Sequence, residues 1–183
     1  MNIVRRTIAM MQILLVFGGL AIALAGAVWD VRTYRIPNKL TYPAMVAGLA
    51  AHLAIEGWRG LLQGPGGLLA GGGIFLALYL LRTLGAGDVK LMAAVGAWVG
   101  LTSVVQAALY SAIVGGVCAL AVALYRGRFR QTMANVGDLV RHHAAMGAEV
   151  HPTLNLENPE AQRFPYGVAI FGGTLVLLIS LYR

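Results

Sequence analysis

The sequence predicts an all-α fold: a polytopic membrane bundle of about six transmembrane helices with both termini on the non-cytoplasmic side. Three observations predict it. Of 183 residues, 58% are hydrophobic and only 11% are charged, under half the ~25% of a soluble domain. Mean hydropathy is +0.73. The apolar residues are gathered into long uncharged runs rather than spread along the chain. A soluble domain of this size must cover its surface with polar groups, and this chain has too few. The composition excludes a disordered chain and a soluble enzyme, and it names the lipid bilayer as solvent and partner.

Residues 8–28 carry no charge and one clearly polar side chain, Gln12. At ~1.5 Å rise per residue such a helix crosses the ~30 Å hydrocarbon core. Arg5 and Arg6 before it and Ala25-Gly26-Ala27 near its end also fit a secretory signal. The apolar stretch is longer than the ~7–15 residues of a signal core, so it reads as a retained span. Residues 40–55 form a second span with Pro43 in its first turn, and the glycine-rich residues 61–81 a third. Residues 91–125 hold no charge. As one helix they would be ~52 Å long, too long for one crossing. They are split near Gly100 into spans at 89–101 and 103–125, and residues 166–182 close the bundle as a single membrane domain. The loop 126–164 contains Phe129, Met133, Val136, Val140 and His143 at helical spacing beside Arg128, Arg130 and Arg141. That pattern predicts an amphipathic helix on the inner membrane surface.

The 14 Lys and Arg against 7 Asp and Glu leave a formal charge of +7. Placing both termini outside puts Arg32, Arg35, Lys39, Arg82, Lys90, Arg126, Arg128, Arg130, Arg141 and Arg163 inside and only Arg5, Arg6, Arg59 and Arg183 outside. The positive-inside rule chooses that orientation, and it explains the basic excess without a nucleic-acid partner. Cys118 is the single cysteine. It permits no internal disulfide and no cysteine zinc site, and no metal or cofactor is expected. Gly67/Gly71 and Gly96/Gly100 are spaced four apart, which suits close helix packing in lipid rather than a phosphate loop.

Glu56, Asp138, Glu149, Glu157 and Glu160 fall in expected loops. Asp30, at the end of the first span, and Asp88, at the start of the fourth, fall at one membrane edge in the chosen orientation. A carboxylate beside hydrocarbon is costly and marks a functional site. Taken alone, Asp88 also suits a helix N-cap. Asp30, at a helix C-terminus, opposes the macrodipole. Two carboxylates close together cannot both ionise easily, so the pair holds one proton. The ionised member then takes a proton from water while the protonated member hydrogen-bonds the carbonyl under attack. Gly85 and Gly87 would let a substrate backbone approach, and Lys90 would bias the pair's charge or meet a lipid phosphate.

These residues resemble a known family. Asp30-Val31-Arg32-Thr33-Tyr34-Arg35-Ile36-Pro37-Asn38 is similar to the first signature of type IV prepilin peptidases, an Asp followed by Ile-Pro-Asn. Gly85-Ala86-Gly87-Asp88-Val89-Lys90-Leu91 is similar to their second, Gly-x-Gly-Asp-x-Lys, and Phe164-Pro165-Tyr166-Gly167 to a Pro-Tyr-Gly or Phe-Gly-Pro element opening the last span. The resemblance implies a membrane aspartic endopeptidase of the bacterial inner membrane. It would remove the short basic leader of prepilins or pseudopilins at the cytoplasmic face, with no cofactor. Asp30 and Asp88 match the catalytic aspartates. Gly85, Gly87 and Lys90 match supporting residues, as do Pro37 and Asn38 of the first signature. Larger members carry an extra cytoplasmic segment with paired Cys-x-x-Cys motifs and also N-methylate the mature pilin. Here Lys39 leads directly into the second span, so the chain resembles the short form associated with tight-adherence (Flp-type) pili, and methyl transfer and a zinc site are not expected. Two alternatives differ in class. A presenilin-type intramembrane protease also uses Gly-x-Gly-Asp but has about nine spans and a Tyr before its first Asp, where this chain has Trp29. A small transporter would place ionisable groups at mid-membrane, where this sequence offers only His52.

Overall fold

A computed structural model describes residues 2–147, 149–150, 152–154 and 164–181, with side chains from residue 10 onward. His151, Glu157, Glu160, Arg163 and Arg183 therefore lie outside the described residues, as do the side chains of Arg5 and Arg6. Every regular element among them is helical: α1 (Asn2–Thr33), α2 (Asn38–Glu56), a 3-10 turn (Gly57–Arg59), α3 (Gly60–Leu80), α4 (Ala86–Val99), α5 (Leu101–Tyr125), α6 (Phe129–Met146) and α7 (Tyr166–Leu181). Three stretches, Met10–Thr33, Asn38–Leu80 and Leu101–Tyr125, are long and apolar enough to cross a membrane, and α7 is a shorter apolar helix. The second stretch contains both α2 and α3, folded back on each other at the 3-10 turn. The fold is a polytopic helical bundle.

The helix ends have local causes. In α1, Thr33 Oγ1 lies 2.9 Å from both the Trp29 and the Arg35 carbonyl oxygens, which share its one donor. Tyr34 turns left-handed at φ 51° and stops the helix. Pro37, extended at φ −73°, caps α2. Its fixed φ suits that position, and it has no N–H to leave unpaired. Because α2 begins at Asn38, Pro43 lies past the first turn, where the sequence had placed it. Between α4 and α5, Gly100 adopts φ 78°, a left-handed geometry that favours glycine, and the long uncharged run breaks there. Glu56 and Asp138, expected in loops, lie in α2 and α6.

The packing fixes the helix directions. Gly67 of α3 meets the Gly96 and Gly100 backbone of α4, while Gly71 meets the Met92 carbonyl. The two four-apart glycine pairs thus face each other on antiparallel helices, which explains why both helices need them. Gly18 of α1 meets Trp98 and Gly26 meets Leu91, so α1 also runs against α4. Gly115 and Gly173 set α5 against α7 in the same antiparallel way. The C-terminal ends of α1, α3 and α5 therefore gather with the N-terminal ends of α2, α4 and α7.

α4 is the centre of the bundle. Every residue from Leu91 to Ala97 is buried, under α1, α2 and α3. At 14 residues it is ~21 Å long, shorter than the hydrocarbon core. The outer helices carry the opposite pattern, with Leu14, Val46, Leu69, Leu109 and Ile113 all exposed. A protein surface so apolar suits lipid rather than water. Among the described elements α6 packs on α5 alone and leaves Phe129, Met133, Val136 and Val140 exposed along one face.

Candidate active site

Both acids singled out in the sequence are buried, Asp30 at 6% and Asp88 at 9% exposure. They come from different helices, and both lie at the gathered end of the bundle. α1 runs two residues past Val31, so Asp30 lies within its last turn rather than after it. Asp88 is the third residue of α4, and Gly85 is the cap, so Asp88 is not itself the N-cap. Its Oδ2 accepts the Gly85 backbone N–H at 3.0 Å. Asp30 Oδ2 accepts the Gly167 backbone N–H at 2.9 Å. Each carboxylate is thus held by the amide of a glycine at the start of a helix, α4 for Asp88 and α7 for Asp30. First-turn amides have no intrahelical acceptor, and the positive end of a helix favours a nearby anion. The C-terminus of α1 opposes the charge of Asp30, and the N-terminus of α7 offsets that opposition.

Asp30 in the last turn of α1 and Asp88 in the first turn of α4 occupy the same end of two helices that pack on each other. Tyr166, next to the Gly167 amide, lies within the field of Asp88. Its ring stands edge-on to Phe75 with centroids 5.9 Å apart. Among the described residues neither acid makes an ion pair, and the glycine N–H is the sole hydrogen bond of each. An ionised carboxylate has about four acceptor sites, so each keeps unused capacity for a ligand.

The supporting residues divide into two groups. Gly85 and Gly87 flank the acid, but the chain itself occupies the space they leave. A Cβ at Gly85 would lie 3.3 Å from Asp88 Oδ2, and one at Gly87 would lie 3.3 Å from Ile36 Cβ. Gly87 therefore admits the α1–α2 link against the start of α4. Pro37 caps α2 beside it, and Lys90 Nζ donates to Asn38 Oδ1 at 2.9 Å while lying 5.8 Å from the Tyr42 ring centroid. This exposed cluster ties the Ile-Pro-Asn segment to the helix that carries Asp88. Sequence reasoning gave Tyr166 and Gly167 no role. Their signal was the Pro-Tyr-Gly at the head of the last helix. Among the described residues no group of three or more His, Cys, Asp or Glu side chains is gathered as a metal site would need.

A family model described as the type IV leader peptidase family matches residues 14–120, which includes both acids and both glycine motifs. The chain belongs to the type IV leader peptidase family. It is similar to the prepilin leader peptidase/N-methyltransferase of Burkholderia pseudomallei (strain 1026b), 37% identical over 124 residues, covering 62% of this chain and 38% of that protein. The proteins of the same name from Dickeya chrysanthemi and Neisseria gonorrhoeae are 34% identical over 118 residues and 32% identical over 106. Those alignments cover 59% and 54% of this chain against 39% and 37% of the relatives. The chain thus aligns with well under half of the length of these leader peptidase relatives. No solved structure shows significant similarity to it.

Proposed function

We propose that this chain is a membrane-embedded aspartic endopeptidase that removes the short basic leader from prepilins or pseudopilins. The observation that carries the reading is the buried pair Asp30 and Asp88. Two helices contribute one acid each, each acid is held through one oxygen, and among the described residues neither pairs with a cation. Membership of the leader peptidase family supports the substrate class.

In this reading one carboxylate is ionised and removes a proton from water. The resulting hydroxide attacks the scissile carbonyl, whose oxygen is hydrogen-bonded by the protonated partner. The tetrahedral intermediate then expels the amine, which takes a proton from the pair, and the C–N bond breaks. No covalent enzyme intermediate or metal is needed. The chemistry takes place at the end of the bundle that also bears Arg32, Arg35, Lys39, Arg82 and Lys90. By the positive-inside rule that end faces the cytoplasm, with both termini on the other side, and family membership supports a bacterial inner-membrane location. A prepilin presents its leader–helix boundary at that face. The same rule, together with the apolar stripe of α6, supports a place for that helix on the inner lipid surface.

The test is co-expression with a prepilin. Wild type trims the leader, whereas Asp30→Asn and Asp88→Asn leave it intact while still accumulating in the membrane. Trimming at the normal rate by either variant removes that residue from the mechanism.

A further inference from the structure

We propose that Gly167 is a positioning residue for the catalytic pair: its amide fixes the Asp30 carboxylate, and its missing side chain leaves the room that carboxylate occupies. The inference rests on the aspartic-peptidase reading above.

Gly167 is not glycine for the sake of its backbone, since its φ is not among the positive values in the chain. Space is the reason. A Cβ there would lie 3.1 Å from both Asp30 Cβ and Asp30 Oδ2, and 3.2 Å from Ala27 Cα. The same residue donates its N–H to Oδ2 at 2.9 Å. Any side chain at 167 therefore presses on the group that its own amide holds.

α7 has little freedom to withdraw and relieve that pressure. On its far side Gly115 of α5 already lies against Tyr166, at 2.9 Å for an added Cβ. Gly173 meets the Ser111 backbone and hydroxyl one and a half turns further on. Ile170 and Leu177 are fully buried on the same helix. With α7 held between α1 and α5, a methyl group at 167 displaces the Asp30 carboxylate rather than the helix. Asp88 has the matching arrangement within its own motif, the Gly85 amide three residues away. Asp30 receives its amide from 137 residues along the chain, so the pair is complete only when α7 is docked.

The experiment compares purified wild type, Gly167→Ala, Gly172→Ala and Asp30→Asn, cleaving a prepilin in lipid or detergent. Gly172 lies on the same helix against the Val114 side chain and away from the acids. Gly167→Ala is expected to lower kcat by about 10²-fold, the usual effect of a small misplacement of a reacting group. KM stays within about twofold, because substrate binding is not what is lost, and the acid limb of the pH–rate profile is displaced from that of wild type. Gly172→Ala keeps the wild-type kcat and profile. A Gly167→Ala enzyme with wild-type kcat and profile overturns the proposal. A second measurement does not require that variant to fold. In glycine-labelled wild-type protein, the Gly167 amide resonance follows a carboxylate titration that Asp30→Asn abolishes, and a resonance indifferent to both overturns the proposal. If Asp30→Asn cleaves normally, the peptidase reading fails. If Asp30→Asn is inactive and Gly167 is indifferent, only this inference fails.

Discussion

The two ends of the bundle bury polar groups in different ways. At the end away from the acids, His52 is 2% exposed and both its ring nitrogens are engaged. Nδ1 meets Glu56 Oε2 at 3.2 Å and Nε2 meets the Trp98 carbonyl at 3.0 Å. Trp98 Nε1 in turn donates to the Ala44 carbonyl at 2.9 Å. That network joins α2 to α4, and each ring nitrogen in it lies within hydrogen-bond distance of an acceptor. At the other end, Asp30 and Asp88 have, among the described residues, one hydrogen bond each and no counter-charge. Fully engaged buried groups hold a fold together, whereas a buried carboxylate with few partners is retained at a cost to stability. The lesson is that burial alone does not mark a site. The buried histidine is structural because its capacity is spent, and the buried acids are candidates for chemistry because theirs is not.

The comparison predicts which changes remove activity and which remove stability. The largest effect belongs to the acids. Asp30→Asn and Asp88→Asn should each lower the cleavage rate by on the order of 10³-fold or more, within or beyond the range for loss of a general acid or base. The thermal midpoint in detergent should hold, because the isosteric amide keeps its oxygen for the glycine N–H. A fall in midpoint as large as the fall in rate would make the acids structural and erase the contrast. Next comes the helix contact between the two ends. Gly67→Ala sets a methyl group against the Gly96 carbonyl, a backbone atom that cannot rotate away. It should cost about 1–3 kcal/mol, read as a lower midpoint with unchanged kcat per folded molecule. His52→Ala leaves the Trp98 carbonyl and Glu56 without their partner. It should cost about 1–3 kcal/mol and likewise leave the pH–rate profile of the folded fraction as in wild type. A changed profile would bring His52 into the chemistry and blur the two ends. EDTA should have the smallest effect, none on cleavage, because the proposed mechanism uses carboxylates and water alone. Loss of activity restored by a divalent cation would replace the dyad with a metal centre.

Much of this was legible from the residues. The scarcity of charge and the long apolar runs require helices, since a segment crossing lipid must satisfy its own backbone. The four-apart glycines announced close packing but not their partner. α3 and α4 could each have used them against any neighbour. The acids were legible because a carboxylate at a membrane edge stands out from its surroundings. Their environment was not. Asp30 looked poorly placed at the C-terminal end of α1, and nothing local to it shows that the first turn of α7 supplies the missing donor.

The sequence by itself determined the solvent, the helical class and the pair of acids, because these follow from composition and from motifs read within one segment. Tertiary structure alone decided that the space at Gly87 is filled by Ile36 of the α1–α2 link. It also decided that His52 is spent on a structural network and that Gly167 holds Asp30. Each of these depends on which surfaces meet. Hydrophobic burial has no direction, so it can require that helices pack without saying which glycine faces which carboxylate. Close-packed shape and a hydrogen bond across 137 residues settle that.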